Sequence, residues 1–373
     1  MKPIGVMGCL PRLPVEFPLT YPENAGNMVH ANAPFRMFDS AFFVKDVNYK
    51  ALGFENFLSF VNKRCSHLIV TMANTLRAGE EDGAKYARML DFLSKVDKPI
   101  VVFGLGIQTK ETNLDGISLP QEAVALVNHL SSRATLLGVR GDFTKRVLER
   151  LCGVSNAYVT GCPSLFSRPL AFAELRENIK NGTVGRPAYA GTRYFDTNEN
   201  AHLINAIRQG HWLIEPVNKH NHNFYVKTLS GSDSVEDVPY FLRRHLKGEE
   251  YGDRHYMRNY FLSSYRLFRN TDEWFQFNAE AVSFSYGSRF HVNMATLLSG
   301  KPALWLTHDA RTRELVEFMG LPNVDIDSEC MSDINAIRKL MNFECFFDKI
   351  GGLFKNFNEY LAANDLPEIS APV

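Results

Sequence analysis

At 373 residues the chain exceeds one ordinary hydrophobic core and suits two domains of roughly 150 residues each. Apolar residues at 45% and charged residues at 22% exclude the disordered and fibrous classes. The 41 basic and 41 acidic residues leave no net charge, which excludes global attraction to nucleic acid or to an anionic membrane, so any anion site must be local.

In chain order, Ile4 to Met7 reads as a first buried strand, and the apolar run at this end is far too short for a secretory signal. Asn24-Ala25-Gly26-Asn27 makes a turn before a helix predicted over Met28 to Phe38, and Gly26 would let a ligand approach the backbone closely. Leu68 to Met72 is a strand, Gly83 to Leu93 a helix, and Pro99 to Phe103 a strand ending in Gly104-Leu105-Gly106. The third glycine of the dinucleotide fingerprint is missing there, so NAD binding is not implied. A helix from Pro120 to Leu130, a strand from Leu136 to Val139 and a helix capped by Asp142 and closed by Gly153 follow. Ala157 to Val159 then leads into Thr160-Gly161-Cys162-Pro163-Ser164, where Cys162 reads as a small buried apolar residue rather than a nucleophile. The alternation of strands and helices implies a Rossmann-like domain on a parallel sheet.

Arg176 to Arg186, with Asn181-Gly182 and Gly185, is the linker candidate. A second α/β domain begins beyond it with a strand from Ala188 to Thr192, a helix from Asn198 to Gln209 and a strand from Trp212 to Pro216. Lys219 to Trp274 is polar and aromatic; it is expected to form a loop and helices covering a cleft, with His220 and His222 as solvated loop residues. Asp333 to Leu340 is helix-like, and Phe346 to Ala362 reads as a last helix. The expected division is a first domain over 1–174, a second over 187–345, and a segment 346–373 packing back on the first.

The junction at Tyr286 to Pro302 carries the chemistry. Ala281 to Ser285 alternates as a strand does, Gly287-Ser288 supplies a turn, and Phe290, Met294, Leu297 and Leu298 fall at helical spacing. Gly300 is a C-cap, and Ala303 to Leu306 is the next buried strand of a βαβ unit. Free backbone N–H groups at the helix start favour an anion there, and Arg289 adds a planar donor fork suited to phosphate or carboxylate. Residues two apart on a helix point to nearly opposite sides, so Arg289 and His291 can share a ligand only if Arg289 belongs to the turn, as is predicted.

Six cysteines without a CxxC pair argue against a zinc ribbon or a disulfide framework and place the chain in a reducing cytoplasm. No run of about 20 apolar residues provides a membrane span. The expected workplace is the cytoplasm, at the inner membrane face where the acceptor is lipid-linked.

Taken in order, Asn24-Ala25-Gly26-Asn27, Gly104-Leu105-Gly106-Ile107-Gln108, Gly138-Val139-Arg140-Gly141-Asp142, Thr160-Gly161-Cys162-Pro163-Ser164, Ser288-Arg289-Phe290-His291 and Gly300-Lys301-Pro302 resemble the polysaccharide pyruvyl transferase family. The serine-arginine-x-histidine element is the most specific of these. Two elements depart from the family pattern: its arginine-aspartate pair is split here by Gly141, and its tyrosine-aspartate with a nearby lysine appears as His308-Asp309 followed by Arg311. The resemblance implies two Rossmann-like domains facing a cleft, similar to GT-B glycosyltransferases. It also implies transfer of pyruvate from phosphoenolpyruvate onto sugar hydroxyls as a ketal, in the biosynthesis of an exopolysaccharide or another cell-surface glycan.

Phosphoenolpyruvate becomes electrophilic at C2 when its methylene carbon is protonated, so the reaction needs a proton donor and an anion clamp. His291 is the expected general acid, Arg289 the clamp on one anionic group, and Arg140 its partner from the first domain. Asp142 and Asp309 are alternative bases, and Ser288, Asn24, Gly26, Asn27, Gly106, Gln108 and Arg311 are expected substrate contacts. No metal or other cofactor is required, because arginine and helix-terminus donors can offset the phosphate charge, so turnover is expected to be metal-independent. The other readings are a GT-B glycosyltransferase, with Arg311 on the diphosphate of a nucleotide sugar and Glu314 on its ribose, and a non-catalytic saccharide-binding protein. Phosphoenolpyruvate and a saccharide are the expected partners, with no nucleic acid; self-association is left open.

Overall fold

The computed structural model describes residues 2–14, 24–109, 113–215, 218–246, 254–328 and 334–372; Cys330, Tyr251-Gly252 and Asp333 lie outside them. In the first lobe short apolar runs form parallel strands: β1 (Ile4–Gly8), β2 (Ala41–Phe43), β3 (His67–Thr71), β4 (Leu76–Arg77), β5 (Ile100–Phe103), β6 (Ile107–Gln108), β7 (Leu137–Val139) and β8 (Ala157–Val159). The main sheet runs β2-β1-β3-β5; β7 pairs with β8, and a bridge from Leu105 to Val139 carries that pair alongside β5. Ile100 to Phe103 is buried throughout, as a central strand with layers on both faces requires.

The second lobe holds β9 (Arg186–Ala190), β10 (Trp212–Ile214), β11 (Tyr265–Arg266), β12 (Val282–Gly287), β13 (Ala303–Thr307) and β14 (Asn323–Asp325), all parallel, in the order β11-β10-β9-β12-β13-β14. This is the Rossmann order, whose winding direction reverses between β9 and β12. Open α/β sheets bind ligands outside the carboxyl ends of their strands at such a reversal. The two parallel sheets give the α/β, two-lobed arrangement of GT-B enzymes.

Several local expectations are corrected. The helix expected over Met28 to Phe38 is two short ones, Asn27–Ala31 and Ala33–Met37, because Pro34 cannot donate within a continuous helix and its ring would strike the carbonyl four residues back. The first half of the supposed linker is the end of a helix, Ala171–Asn181, anchored by buried Phe172 and Leu175. Gly141, not Asp142, is the N-cap of the helix Asp142–Cys152.

The 219–274 stretch forms helices Lys219–Ser230, Tyr240–Leu246 and Arg254–Ser264, strand β11 and the start of a helix Thr271–Ala281, and His220 and His222 lie in the first of these. Phe224, Leu242, Phe261 and Tyr265 bury against Leu304 and Leu306 of β13, so this region covers a sheet face. A final helix, Glu344–Ala363, runs to the first lobe, where Tyr360 donates to the Val102 carbonyl at 2.6 Å and Tyr158 donates to Asn356 at 2.8 Å. One apolar core joins both lobes, with Val6 and Phe103 in the same cluster as Trp305, Phe346 and Phe357. Among the described residues no helix is long and apolar enough to cross a membrane.

Candidate functional site

The carboxyl ends of both sheets border one pocket, lined from the first lobe by Asn24, Gly26, Asn27, Asn74 and Arg140 and from the second by Thr192, Ser288, Arg289, His291 and Arg311. Arg140 follows β7 and is almost fully buried, its side chain passing Gly106, where an added Cβ would sit 2.7 Å from Cδ. Its Nε donates to the Gly104 carbonyl at 3.0 Å and its Nη1 to Asn74 Oδ1 at 2.6 Å. Nη2 is buried with no partner. A dry guanidinium with donors left over is costly unless an anion completes it.

Arg289 is the N-cap of the helix Phe290–Leu297 and has extended backbone, φ −81° and ψ 98°. It therefore belongs to the turn, and both its side chain and that of His291 line the pocket. The Gly191 carbonyl accepts from its Nε at 2.8 Å and the Thr192 carbonyl from its Nη2 at 3.4 Å, which aims the guanidinium. Beneath this turn lies Glu199, buried, whose carboxylate accepts from the Thr192 N–H at 2.8 Å, the Arg193 N–H at 3.0 Å and the Ser288 hydroxyl. Ser288 was expected to hold substrate; its hydrogen goes to Glu199, with Thr192 Oγ1 2.7 Å away, so it ties the β9 and β12 ends together.

Arg311, after β13, pairs with Asp309 at 3.2 Å, and Asp309 caps the helix Ala310–Met319 by accepting from the Thr312 N–H at 2.8 Å. Burial pushes the Asp309 carboxyl up, but Arg311, His308 and Thr312 outweigh it and hold the group below its ordinary range. Burial, with repulsion from Arg140 and Arg289 opposing the help of Asp309, lowers Arg311. Three guanidinium groups and no carboxylate appear among the described lining residues.

His291 Nε2 lies 3.5 Å from Cys162 Sγ, which is also 3.6 Å from His30 Nδ1 and 3.0 Å from Ser164 Oγ. Gly104, with φ +70°, makes room for this group: an added Cβ would sit 2.6 Å from His30 Cε1. These three donor groups, all within 4.8 Å, could hold a metal ion, and their softness suits zinc. Arg140 acts electrostatically on all three, and its fixed positive charge works against a dication there. Burial, then Arg140, His30 and Arg311, hold His291 well below the ordinary imidazole value near 6.5; His30 is lowered by burial and Arg140. Burial pushes the Cys162 thiol up, with Arg140 opposing.

Depressed histidines are also found away from the pocket, where burial and then Arg186 bring His211 down to about 4, and burial lowers His202 and His67. The unfolded chain protonates these rings first, so acid favours unfolding. Between pH 6.5 and about 4, His211 alone removes about 1.4 kcal/mol of stability per pH unit of acidification. Urea midpoints are therefore expected to fall between about pH 7 and pH 5, with a shallower fall in His211→Gln. Equal midpoints at both pH values would contradict the linkage.

Of the residues expected at the site, Asn24, Gly26, Asn27, Arg140, Ser288, Arg289, His291 and Arg311 line the pocket. Gly106 lies behind Arg140, Asp309 behind Arg311, and Asp142 is exposed outside the lining. Gln108 is exposed in β6, which pairs with β4 instead of continuing to the pocket. Glu314 accepts from the Thr144 N–H at 3.1 Å and its hydroxyl at 2.9 Å, capping a first-lobe helix across the cleft; that occupies the carboxylate suggested for a ribose. His30, Asn74, Thr192 and Glu199 were not foreseen. The available signals were the position of His30 one turn after Asn27 and that of Glu199 three residues after Asp196 at a helix start.

The family model described as polysaccharide pyruvyl transferase matches residues 24–310. Among solved structures, Methanocaldococcus jannaschii UDP-GlcNAc 2-epimerase in complex with UDP-GlcNAc and UDP aligns over 92% of this chain and 94% of its own at 11% identity and TM-score 0.43. A second structure of that epimerase gives the same coverage and score at 12% identity. S. aureus MnaA bound to UDP aligns over 100% of both chains at 12% identity and TM-score 0.43. No curated protein matches the chain in sequence.

Proposed function

Because the chain belongs to the polysaccharide pyruvyl transferase family, we propose that it moves the pyruvyl group of phosphoenolpyruvate onto a pair of sugar hydroxyls of a glycan or glycan precursor. The observation that carries the donor is the convergence of Arg140, Arg289 and Arg311 on one pocket, with Arg140 Nη2 left unsatisfied. Phosphoenolpyruvate presents a carboxylate and a phosphate, about three negative charges at neutral pH, to these planar forks.

His291 gives a proton to the methylene carbon, forming a C–H bond and leaving positive charge at C2. A sugar hydroxyl adds to C2 and loses its proton. The C2–O bond to phosphate then breaks with its electron pair going to the departing phosphate, which the arginines hold. A second hydroxyl adds to C2 and its proton passes to the departing phosphate, closing the ketal, so the balance is one donor and one diol in, one ketal and one phosphate out. Of the two carboxylates considered as base, Asp142 is exposed outside the lining, while Asp309, behind Arg311 and 3.6 Å from His308 Nε2, is the nearer to the site and takes that role here.

The pocket holds its acid neutral while empty, since burial and Arg140 hold His291 below the ordinary value. An anionic donor reverses that field, so the imidazole gains its proton when there is something to protonate. No metal takes part in these steps; retained turnover in chelator checks this.

A thermal-shift panel tests the donor. Phosphoenolpyruvate is expected to raise the melting temperature, with no comparable effect of uridine diphosphate or guanosine diphosphate. Stabilisation by a nucleoside diphosphate instead would replace this reading with a nucleotide-sugar glycosyltransferase, and stabilisation by neither would favour a non-catalytic saccharide-binding protein. Phosphate release from phosphoenolpyruvate with a panel of glycan acceptors then establishes turnover.

A further inference from the structure

A second cavity, about 290 Å³, adjoins the donor pocket at the carboxyl ends of β13 and β14 and is lined by Arg193, Asp196, Asn198, His308, Asp325 and Asp327. The two cavities share a wall. Thr192 lines one and Arg193 the other, Glu199 holds both backbone N–H groups, and Asp309 lies between Arg311 on the donor side and His308 on this side.

The lining chemistry is unlike that of the donor pocket. Carboxylates Asp196, Asp325 and Asp327 border the second cavity and outnumber its one arginine; Arg193 pairs with Asp196 at 3.0 Å, Arg313 with Asp325 at 3.0 Å, and Asn198 donates to Asp327 at 2.6 Å, each leaving acceptor positions on the carboxylates. A phosphate or diphosphate would meet repulsion, while neutral hydroxyl groups would find acceptors. His308 adds an independent sign of a ligand: its side chain is 5% exposed, Nε2 lies 3.6 Å from Asp309, and Nδ1 is buried without a hydrogen-bond partner. A buried imidazole nitrogen bordering a cavity calls for a hydroxyl or water to complete it.

Beside the cavity, Phe195 is 57% exposed and stacks on Tyr240, 50% exposed, with ring centroids 5.7 Å apart and planes at 21°. His220 meets both rings edge-on. Phe195 directly precedes Asp196 of the cavity wall, so an apolar face flanks a set of hydroxyl partners. Sugar rings present that pairing, with C–H groups on a face and hydroxyls around the edge, and aromatic rings are the side chains that cover such faces.

Resting on the pyruvyl-transfer reading, we propose that this cavity and the Phe195–Tyr240 face form the acceptor subsite, which takes a neutral hexopyranose unit of the acceptor glycan. The ring lies against Phe195, hydroxyls are held by Asp196, Asn198, Asp327 and His308 Nδ1, and the reacting pair points over the shared wall toward the donor.

Saturation-transfer NMR on the full chain tests it, with methyl glycosides of mannose, galactose, glucose and N-acetylglucosamine as probes. At least one is expected to receive saturation on its ring protons, and the effect is expected to fall by about fivefold in Phe195→Ala and in Asn198→Ala. The thermal shift with phosphoenolpyruvate should be unchanged in both variants, which also shows that they are folded. No transfer to any of the four glycosides, or transfer unaltered in both variants, overturns the subsite. A wild-type protein that binds a glycoside here yet gives no shift with phosphoenolpyruvate would remove the donor reading and leave the saccharide site standing.

Discussion

Replacing His291 with glutamine is expected to lower the rate constant for phosphate release by about 10²- to 10⁴-fold while leaving stabilisation by phosphoenolpyruvate nearly intact, the signature of a lost proton donor. The side chain lies in the first turn of the helix Phe290–Leu297, and glutamine keeps its size without its acidity. In the empty pocket burial and Arg140 hold the imidazole well below its ordinary value, so it is neutral at working pH and a poor acid. Donor binding brings about three negative charges beside it and should draw a proton onto the ring. Calorimetry in two buffers of different ionisation enthalpy should therefore report net proton uptake on donor binding, and none in His291→Gln. Equal uptake in both proteins, or turnover undiminished in the variant, would take the acid role away from His291.

That behaviour depends on partners that local sequence patterns do not connect. Arg289 and His291 were legible because a strand, a glycine turn and an apolar helical spacing adjoin them, and Arg140 and Arg311 because each follows a buried strand. Neither sheet order nor the packing of one lobe on the other could be read from local periodicity, and together they bring Arg140 after β7 and Arg289 after β12 to one pocket. His30 and Cys162 are 132 residues apart and His291 is 129 further on, so nothing local relates them; only the folded chain brings Cys162 within 3.6 Å of both rings. Glu199 is a first-turn acid of the helix Thr197–Arg208, and its hold on Ser288 is visible only once β9 and β12 are neighbours. Gln108, an expected substrate contact, shows the converse: β6 pairs with β4 and leaves the residue exposed outside the described pocket lining. The single helix drawn over Met28 to Phe38 was a failure of local reading, since Pro34 was there to break it.

Arg140→Met is expected to abolish the thermal shift with phosphoenolpyruvate, or weaken donor affinity by about 10²- to 10³-fold, while the melting temperature of the unliganded protein stays level or rises. Loss of binding and loss of folding separate here because the native guanidinium is only partly satisfied. Its Nε and Nη1 have the Gly104 carbonyl and Asn74, but Nη2 is buried with no partner. In the empty protein it is a cation kept from water without a counter-charge in contact, a feature that costs stability and that a methionine of similar length would relieve. The donor supplies the missing counter-charge, so the guanidinium serves binding at the expense of the free state. Arg140→Lys, which keeps the charge but loses the fork, should fall between the two, because an ammonium cannot reach Gly104, Asn74 and an anion together in one plane. If the methionine variant melted well below wild type and still bound phosphoenolpyruvate, Arg140 would be a structural cation and the first-lobe half of the clamp would have to be sought at Asn24, Asn27 and Asn74.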